Sequence, residues 1–127
     1  MEIILTTCCK EKNDSEKLLP AYVRYTHPRI HKVLNISQHQ NKELFFLSGK
    51  FGLIHKDTPI PWYDQILSDN DVPVVTNLTI IQLNNYLISN VIFYAYPRAT
   101  QGWENYYQVI ESSCKYNGIK LTSLIVK

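Results

Sequence analysis

Four short apolar runs alternate along the chain with stretches of helical character, and this alternation restricts the fold more than any other feature. The first run is β-branched and continuously apolar, as expected for a strand that is buried on both faces. The other three runs have similar lengths and are bounded by polar or turn-forming residues. We therefore predict four strands: Ile3–Thr7, Glu43–Leu47, Val91–Tyr96 and Leu121–Val126.

The connection between the first two strands contains two prolines, Pro20 and Pro28. Proline removes a backbone N–H donor and is tolerated in a helix mainly at the first turn. This favours a short turn or helix that begins around Glu16–Leu19. A full helix then follows from about His27 to His39.

The later connections are also predicted to be helical. Thr76 is a suitable N-cap for a helix that ends near Ser89. The last connection carries apolar residues at spacings of three and four, which is typical of the buried stripe of a helix. Asn117-Gly118 is expected to close that helix, because glycine is frequent at helix C-termini. The stripe consists of Trp103, Tyr106, Tyr107, Ile110 and Cys114.

This order of elements, β-α-β-α-β-α-β, favours parallel strands joined by right-handed crossovers. We expect an α/β fold, a three-layer sandwich with a mostly parallel four-stranded sheet and helices on both faces. A chain of 127 residues has room for one core and little for a second. No repeat or linker interrupts it, so a single α/β domain over residues 1–127 is predicted.

Composition limits the classes of function. Hydrophobic residues make up 45% of the chain and charged residues 19%, which is typical of globular proteins and not of disordered ones. A formal net charge of +2 does not suggest a protein that coats nucleic acid, although a local basic site is compatible with that sum. The oligomeric state is not predictable from these features.

The sequence also bears on location. No basic segment followed by a long apolar core precedes the first strand, and no apolar stretch approaches the roughly 20 residues that cross a bilayer. We expect a cytoplasmic protein without a membrane partner. Its three cysteines do not form a disulfide framework, which agrees with a reducing compartment.

Polar clusters directly follow two of the predicted strands. Thr7-Cys8-Cys9-Lys10 follows the first strand, and Ser48-Gly49-Lys50-Phe51-Gly52 follows the second. If these strands are parallel neighbours, both clusters lie at the edge of the sheet where open α/β folds bind ligands. The long irregular connection from Lys50 to Pro73 is a further sign of a functional region.

Three cations, Lys10, Lys50 and Arg98, each follow a predicted strand and could converge on a phosphate or a carboxylate. Alternatively, each is a solvated loop residue. Lys50 is the preferred candidate, because Gly49 and Gly52 would allow the backbone to approach a ligand closely. The segment is not a P-loop, since Leu44 and Phe51 occupy positions where that motif requires glycine and a hydroxyl residue.

Candidate reactive groups are few. Cys8 could act as a nucleophile with Lys10 nearby, or could simply be a small core residue at a strand end. Asp64 is the leading carboxylate for acid-base chemistry, although aspartate is also common in turns. His27 and His31 lack a third ligand at suitable spacing, so neither a metal nor a cofactor is predicted.

The aromatic residues allow two interpretations. The side chains of Trp62, Tyr63, Tyr94 and Tyr96 could stack on a planar base, or they could fill the core and cover the edge of the sheet. An exposed Trp62 would instead favour a protein-binding patch.

Taken in order, these motifs resemble a family of small α/β domains, the DUF6884-type domains, which are related in pattern to the YaaA peroxide-stress proteins. The match rests on Ser48, Lys50, Gly52 and Leu53 of the second cluster, together with Cys8 and Lys10 of the first. Departures from the family pattern include Cys9, Gly49 and Phe51. The remaining matches are Tyr25, Pro28, Tyr63, Asp64 and Tyr106 in the last helix.

The first cluster is also similar to one in the domain of archaeosine synthases that looks like the uracil-DNA-glycosylase fold. The two resemblances imply a domain that handles a nucleotide, a nucleobase or a nucleic acid, and one that could act on a base or its glycosidic bond. Lys10, Lys50 and Arg98 would hold phosphate, and Tyr25 or Tyr63 would orient the base. Asp64 or Cys8 would supply the chemistry. The alternatives are a noncatalytic module that senses an anionic ligand and a protein-interaction domain.

Overall fold

A computed structural model describes the whole chain, residues 1–127, as a five-stranded mixed sheet flanked by helices. The strands of this sheet are β1 Glu2–Thr7, β3 Glu43–Ser48, β4 Gly52–His55, β6 Asn90–Ala95 and β7 Lys120–Ile125. Two further short strands, β2 Leu19–Pro20 and β5 Pro59–Ile60, pair antiparallel in a separate two-stranded sheet. The helices are α1 Ala21–Arg24, α2 Pro28–Gln40, α3 Val72–Asn85 and α4 Glu104–Asn117, with a 3-10 turn at Asp69–Asp71.

The α/β class and the four predicted strands are confirmed. The sheet has the order β4-β3-β1-β6-β7, and β3, β1, β6 and β7 are all parallel. β1 is the central strand, and Ile3, Ile4 and Leu5 are fully buried in it. This burial on both faces is the environment for which a continuously apolar strand is suited.

The predicted strand count of four was wrong, because β4 adds a fifth strand. It pairs antiparallel with β3, and Ser48 lies opposite Gly52 in the resulting hairpin. Gly52 has a φ of +68°, a backbone conformation that residues with a Cβ rarely adopt. The polar cluster Ser48–Gly52 therefore contains a hairpin turn as well as a strand end.

Helices cover both faces of the sheet. α2 lies against one face, where Arg29 donates a hydrogen bond to Thr6 Oγ1 in β1. α4 packs on the opposite face, where Phe93 of β6 contacts the ring of Tyr107. α3 packs beside α4 on the same face, so the layers are helix, sheet and helix.

The helix boundaries follow the predictions to different degrees. α2 begins at Pro28, one residue after its N-cap His27. α4 ends at Asn117, and its C-cap Gly118 has a φ of +67°, which is typical of a glycine cap. α3 starts at Val72 and ends at Asn85, four residues earlier than predicted at each end. Pro73 is accommodated in its first turn, where a missing N–H costs nothing.

The irregular segment Pro61–Ser68 crosses the edge of the sheet at which β1 and β3 end. A Cβ atom on Gly49 would lie 2.9 Å from the backbone nitrogen of Leu67, so only glycine allows this crossing. Gln65 Nε2 donates to the Gly49 carbonyl at 3.3 Å, and Asn105 of α4 donates to the Leu67 carbonyl at 3.0 Å. The segment is thus fixed between β3 and α4.

None of the helices combines the length and the apolar character that would be needed to span a bilayer.

Candidate functional site

A cavity of about 540 Å³ opens at the carboxyl edge of the parallel strands, as the topology predicts. It lies among the loop after β1, the first turn of α2, the crossing segment, the loop after β6 and the start of α4. Its lining residues are Thr7, Cys8, Cys9, Lys10, Glu11, Lys12, His27, Arg29, Asp64, Gln65, Ile66, Tyr96, Gln101, Gly102, Trp103 and Tyr106.

Arg29 is the most unusual residue in this lining, because its side chain is only 4% exposed and no carboxylate forms an ion pair with it. One terminal nitrogen, Nη1, donates to Thr6 Oγ1 at 2.8 Å and to the Thr7 carbonyl at 2.9 Å. The other, Nη2, donates to the Cys8 carbonyl at 3.3 Å. Its Nε has no hydrogen-bond partner.

The aromatic side chains of Tyr96 and Trp103 complete the surroundings of Arg29. Its guanidinium carbon lies 5.5 Å from the centroid of the Tyr96 ring and 4.9 Å from that of Trp103. Burial lowers the pKa of Arg29, but arginine has so high a starting value that the group stays charged. The cavity wall therefore holds a positive charge that aromatic rings, carbonyl dipoles and the more distant carboxylate of Glu11 only partly offset.

His27 and Cys9 lie beside this arginine. His27 caps α2 by accepting the backbone N–H of Arg29 at its Nδ1, 3.1 Å away, so in the neutral ring the proton is on Nε2. Cys9 Sγ lies 3.0 Å from the Glu11 carbonyl. Burial raises the pKa of Cys9, which keeps it a neutral thiol.

Behind the cavity lies a buried cluster of hydroxyl groups formed by Ser48, Tyr63 and Tyr25. Ser48 Oγ accepts the backbone N–H groups of Lys50 and Phe51, each at 3.1 Å, so its own proton is donated to Tyr63 Oη at 3.0 Å. Tyr63 Oη lies 2.5 Å from Tyr25 Oη. Burial raises the pKa of both phenols well above the ordinary value for tyrosine, so both stay protonated.

Cys8 and Tyr106 connect this cluster to the cavity. Both residues line the cavity, and Cys8 Sγ lies 3.4 Å from Tyr106 Oη. Burial raises the pKa of Tyr106 as well. The floor of the cavity is therefore polar but uncharged, and it can donate hydrogen bonds to a ligand.

The ammonium groups of two lysines lie near the aromatic ring of Tyr63. Lys12 Nζ lies 4.6 Å from the centroid of the Tyr63 ring, and Lys50 Nζ lies 5.9 Å from the same centroid. Lys10 is exposed at the rim of the cavity. The carboxylate of Asp64 is also exposed there and makes no hydrogen bond within the protein.

The predicted site residues are thus divided among three places. Four of them line the cavity, namely Cys8, Lys10, Asp64 and Tyr106. Tyr25, Ser48 and Tyr63 lie in the buried hydroxyl cluster, and Lys50 is exposed near the Tyr63 ring, outside the lining of the cavity. Trp62 is 53% exposed and lies outside the lining of the cavity.

Arg98 does not join the other predicted cations at the cavity. It lies in the loop after β6, and its guanidinium pairs with two carboxylates on the surface of α4, Glu104 at 2.6 Å and Glu111 at 2.7 Å. These two carboxylates raise the pKa of Arg98, and Arg98 in turn lowers that of Glu104. The expectation of three convergent cations after the strands therefore fails for this residue.

The role expected for the two glycines also differs from the structure. Gly49 allows close approach of the Leu67 backbone, and Gly52 allows close approach of the Gln82 side chain in α3, whose Oε1 would lie 2.5 Å from an added Cβ. Gln82 Oε1 accepts the Leu53 N–H, and its Nε2 donates to the Phe51 carbonyl. Both glycines therefore serve packing within the protein at the positions where a ligand was expected.

Sequence reasoning missed Arg29, which is the central cation of the cavity. A signal for it was present, because Arg29, Val33 and Ser37 recur every four residues and all three are buried in α2. A charged residue on the inward face of a predicted helix needs either a partner or a function. Lys12 and Trp103 were likewise not assigned to the site.

A second hollow of about 640 Å³ lies between the first turns of α3 and α4. It is open, and its polar side chains include Asp69 and Glu104 but no cation. It therefore lacks the concentration of buried charge that distinguishes the cavity beside Arg29.

The chain matches no protein-family model, no curated protein and no solved structure. The resemblance to DUF6884-type domains therefore stays a prediction, and the site must be interpreted from its own chemistry.

Proposed function

We propose that the protein binds a phosphorylated nucleoside in the cavity at the carboxyl edge of its sheet. The observation that carries this proposal is the buried guanidinium of Arg29, which lies in the cavity wall without a carboxylate partner. A buried cation is costly unless an opposite charge compensates it, and a planar guanidinium is suited to the oxygens of phosphate.

The aromatic lining supports a ligand that also carries a planar base. Tyr96 and Trp103 lie in the same wall as Arg29, and base stacking on an aromatic ring contributes roughly 1–3 kcal/mol. Thr7, Gln65 and Gln101 add donors and acceptors that could contact the polar edges of a sugar or a base.

Fluorescence titration tests the proposal, because Trp103 contacts Arg29 and the chain has only one other tryptophan. In a Trp62→Phe background, AMP, GMP, CMP and UMP should be titrated separately. We expect at least one of them to change the Trp103 emission. Arg29→Gln should weaken that binding by about tenfold or more, since it removes a charge-assisted hydrogen bond.

The matched control is Arg98→Gln, which removes an exposed arginine outside the cavity and should leave the affinity unchanged. Arg29→Lys keeps the charge and should retain part of the binding. Circular dichroism establishes that each variant is folded. The proposal fails if no nucleotide binds, or if folded Arg29→Gln binds as tightly as the original protein.

A second candidate, hydrolysis of the glycosidic bond of that ligand, is favoured by the free carboxylate of Asp64 at the rim. In such a reaction the carboxylate would take a proton from water as the water oxygen bonds to the sugar carbon. The bond from that carbon to the base nitrogen would break with its electron pair left on the nitrogen, which takes a proton from solvent as the base departs. Chromatography of each nucleotide after incubation should detect free base, and Asp64→Asn should stop its release without weakening binding. Binding without base release would favour the noncatalytic module.

A further inference from the structure

We infer that the site holds a second phosphate group, bound by Lys12 and Lys50 at the outer side of Tyr63. This inference rests on the proposed function, because it extends the ligand that Arg29 would hold. Both ammonium groups lie against the same ring, 4.6 Å and 5.9 Å from its centroid. The two nitrogens therefore lie no more than about 10.5 Å apart, a gap that two long flexible side chains can close around one phosphate group.

Neither Lys12 nor Lys50 forms an ion pair, and the carboxylates of Glu11 and Asp64, which line the cavity with Lys12, pair with neither of them. The carboxylates that form ion pairs are all engaged with other cations; they are Glu2, Glu43, Asp57, Glu104 and Glu111. Lys12 Nζ has only the Lys10 carbonyl within hydrogen-bonding distance, at 3.5 Å. Two unneutralised ammonium groups repel each other, and an anion between them would convert that repulsion into attraction.

The position of Lys12 is fixed by its backbone. Residues 11–13 pair with residues 24–26 through the Asn13 N–H to the Arg24 carbonyl at 2.8 Å and the Thr26 N–H to the Glu11 carbonyl at 3.1 Å. The guanidinium of Arg24 then binds the carbonyls of Asn13, Ser15, Lys17 and Ile60.

Lys50 is held in a comparable way, because its N–H donates to Ser48 Oγ within the β3–β4 hairpin. Binding an anion to lysines on such fixed backbone costs less conformational freedom than binding it to lysines on a mobile loop.

Lys12 also lines the cavity that contains Arg29, so the two anion sites are continuous. A ligand that places one phosphate at Arg29 can extend past Lys12 to Lys50. The ligand class is therefore a nucleotide with a second phosphate group. That group could be the β-phosphate of a nucleoside diphosphate or the next phosphodiester of a short oligonucleotide.

Paired titrations test this inference. For the base that binds best as its monophosphate, affinities are measured for the nucleoside 5′-monophosphate, the 5′-diphosphate and the 5′-phosphorylated dinucleotide of the same base. We expect at least one two-phosphate ligand to bind about tenfold more tightly than the monophosphate. Lys12→Ala and Lys50→Ala should each remove most of that gain, and Lys50→Ala, which changes a residue outside the cavity lining, should leave the monophosphate affinity nearly unchanged. Lys115→Ala, an exposed lysine on α4, is the control and should keep the gain.

The outcomes separate this inference from the proposed function. If the monophosphate binds through Arg29 but neither second phosphate increases affinity, or if the gain survives in both lysine variants, the inference is overturned and the proposed function stands.

If no mononucleotide binds, the proposed function fails. Inorganic pyrophosphate compared with inorganic phosphate then tests the lysine pair directly, and equal affinities would overturn it too. Preference for the diphosphate or for the dinucleotide identifies the source of the second phosphate.

Discussion

The phenol oxygens of Tyr25 and Tyr63 lie 2.5 Å apart in the interior, between the sheet and the segment that crosses its edge. Tyr25 is fully buried and Tyr63 nearly so. Ser48 anchors the pair by donating its hydroxyl proton to Tyr63. The hydrogen bonds of this cluster join residues from β3, from the end of α1 and from the crossing segment.

Tyr63→Phe should destabilise the protein by about 1–3 kcal/mol, because the buried hydroxyl of Tyr25 would lose its close partner. Urea unfolding followed by circular dichroism measures the loss. Tyr116→Phe on the exposed surface of α4 is the matched control and should leave the midpoint unchanged. Tyr25→Phe combined with Tyr63→Phe should cost less than the sum of the single changes. Simple additivity would contradict the coupling between the two phenols.

Stability should decline in alkaline solution, starting near the pH at which an unfolded thiol titrates. Burial raises the pKa of Cys114 to about 12, so the folded protein keeps a proton that the unfolded chain releases above about pH 8.5. The stability that the buried, protonated thiol of Cys114 contributes is fully present below the pKa of the thiol in the unfolded chain. It is lost as the pH rises toward the pKa of the thiol in the folded protein. The expected slope is about 1.4 kcal/mol per pH unit for each such group.

Cys114→Ala isolates that contribution, because alanine does not titrate. Between about pH 9 and pH 10, its free energy of unfolding should fall less steeply with pH than that of the original protein. Above about pH 10 the raised pKa values of Tyr25, Tyr63 and Tyr106 add to the decline in both proteins. Parallel curves from pH 9 to 10 would show that Cys114 does not contribute.

Arg24→Lys should release the loop that carries Lys10 and Lys12, since a lysine ammonium cannot reach the four backbone carbonyls that the guanidinium binds. We expect a stability loss of about 2–4 kcal/mol and faster tryptic cleavage after Lys12 and Lys17. Mass spectrometry of brief digests identifies the cut sites. Arg98→Lys serves as the control, and equal cleavage rates in both variants would contradict this role of Arg24.

Gly49→Ala should weaken ligand binding more than it weakens the fold. The added methyl group would press on the backbone of Leu67 and displace the crossing segment that presents Asp64 and Gln65 to the cavity. Gly118→Ala has open space around it but a positive φ, so it should cost about 1 kcal/mol of stability without changing affinity. If Gly49→Ala binds nucleotide normally, the position of the crossing segment does not control the site.

The sheet could be predicted from the sequence where burial on both faces leaves a clear pattern. β1, β3, β6 and β7 are such cases, because their apolar runs are flanked by turn or helix signals. β4 was not predicted because it has only four residues and begins at Gly52, inside a polar cluster that also resembles a ligand loop. α3 was placed too late since Val72 and Pro73 resemble the end of a loop, although proline is tolerated in a first turn.

The location of the site could be predicted, but its charges could not be assigned correctly. Topology brings Cys8 and Lys10 to the cavity, whereas the choice between Arg29 and Arg98 depends on side-chain partners. Arg98 follows a strand as expected, but its guanidinium forms ion pairs with Glu104 and Glu111 of α4 and does not reach the cavity. Such competition among long flexible side chains is not encoded in the spacing of residues along the chain.

The central place of β1 has a consequence for synthesis on the ribosome. This strand precedes its partner strands along the chain, and it cannot gain its second neighbour until β6 has left the exit tunnel, because Glu2 pairs with Asn90. Until then one edge of an apolar strand stays unpaired, a condition that favours association with chaperones. Trp103 and Tyr106 emerge later still, so the nascent chain can acquire a complete cavity only after α4 has left the exit tunnel.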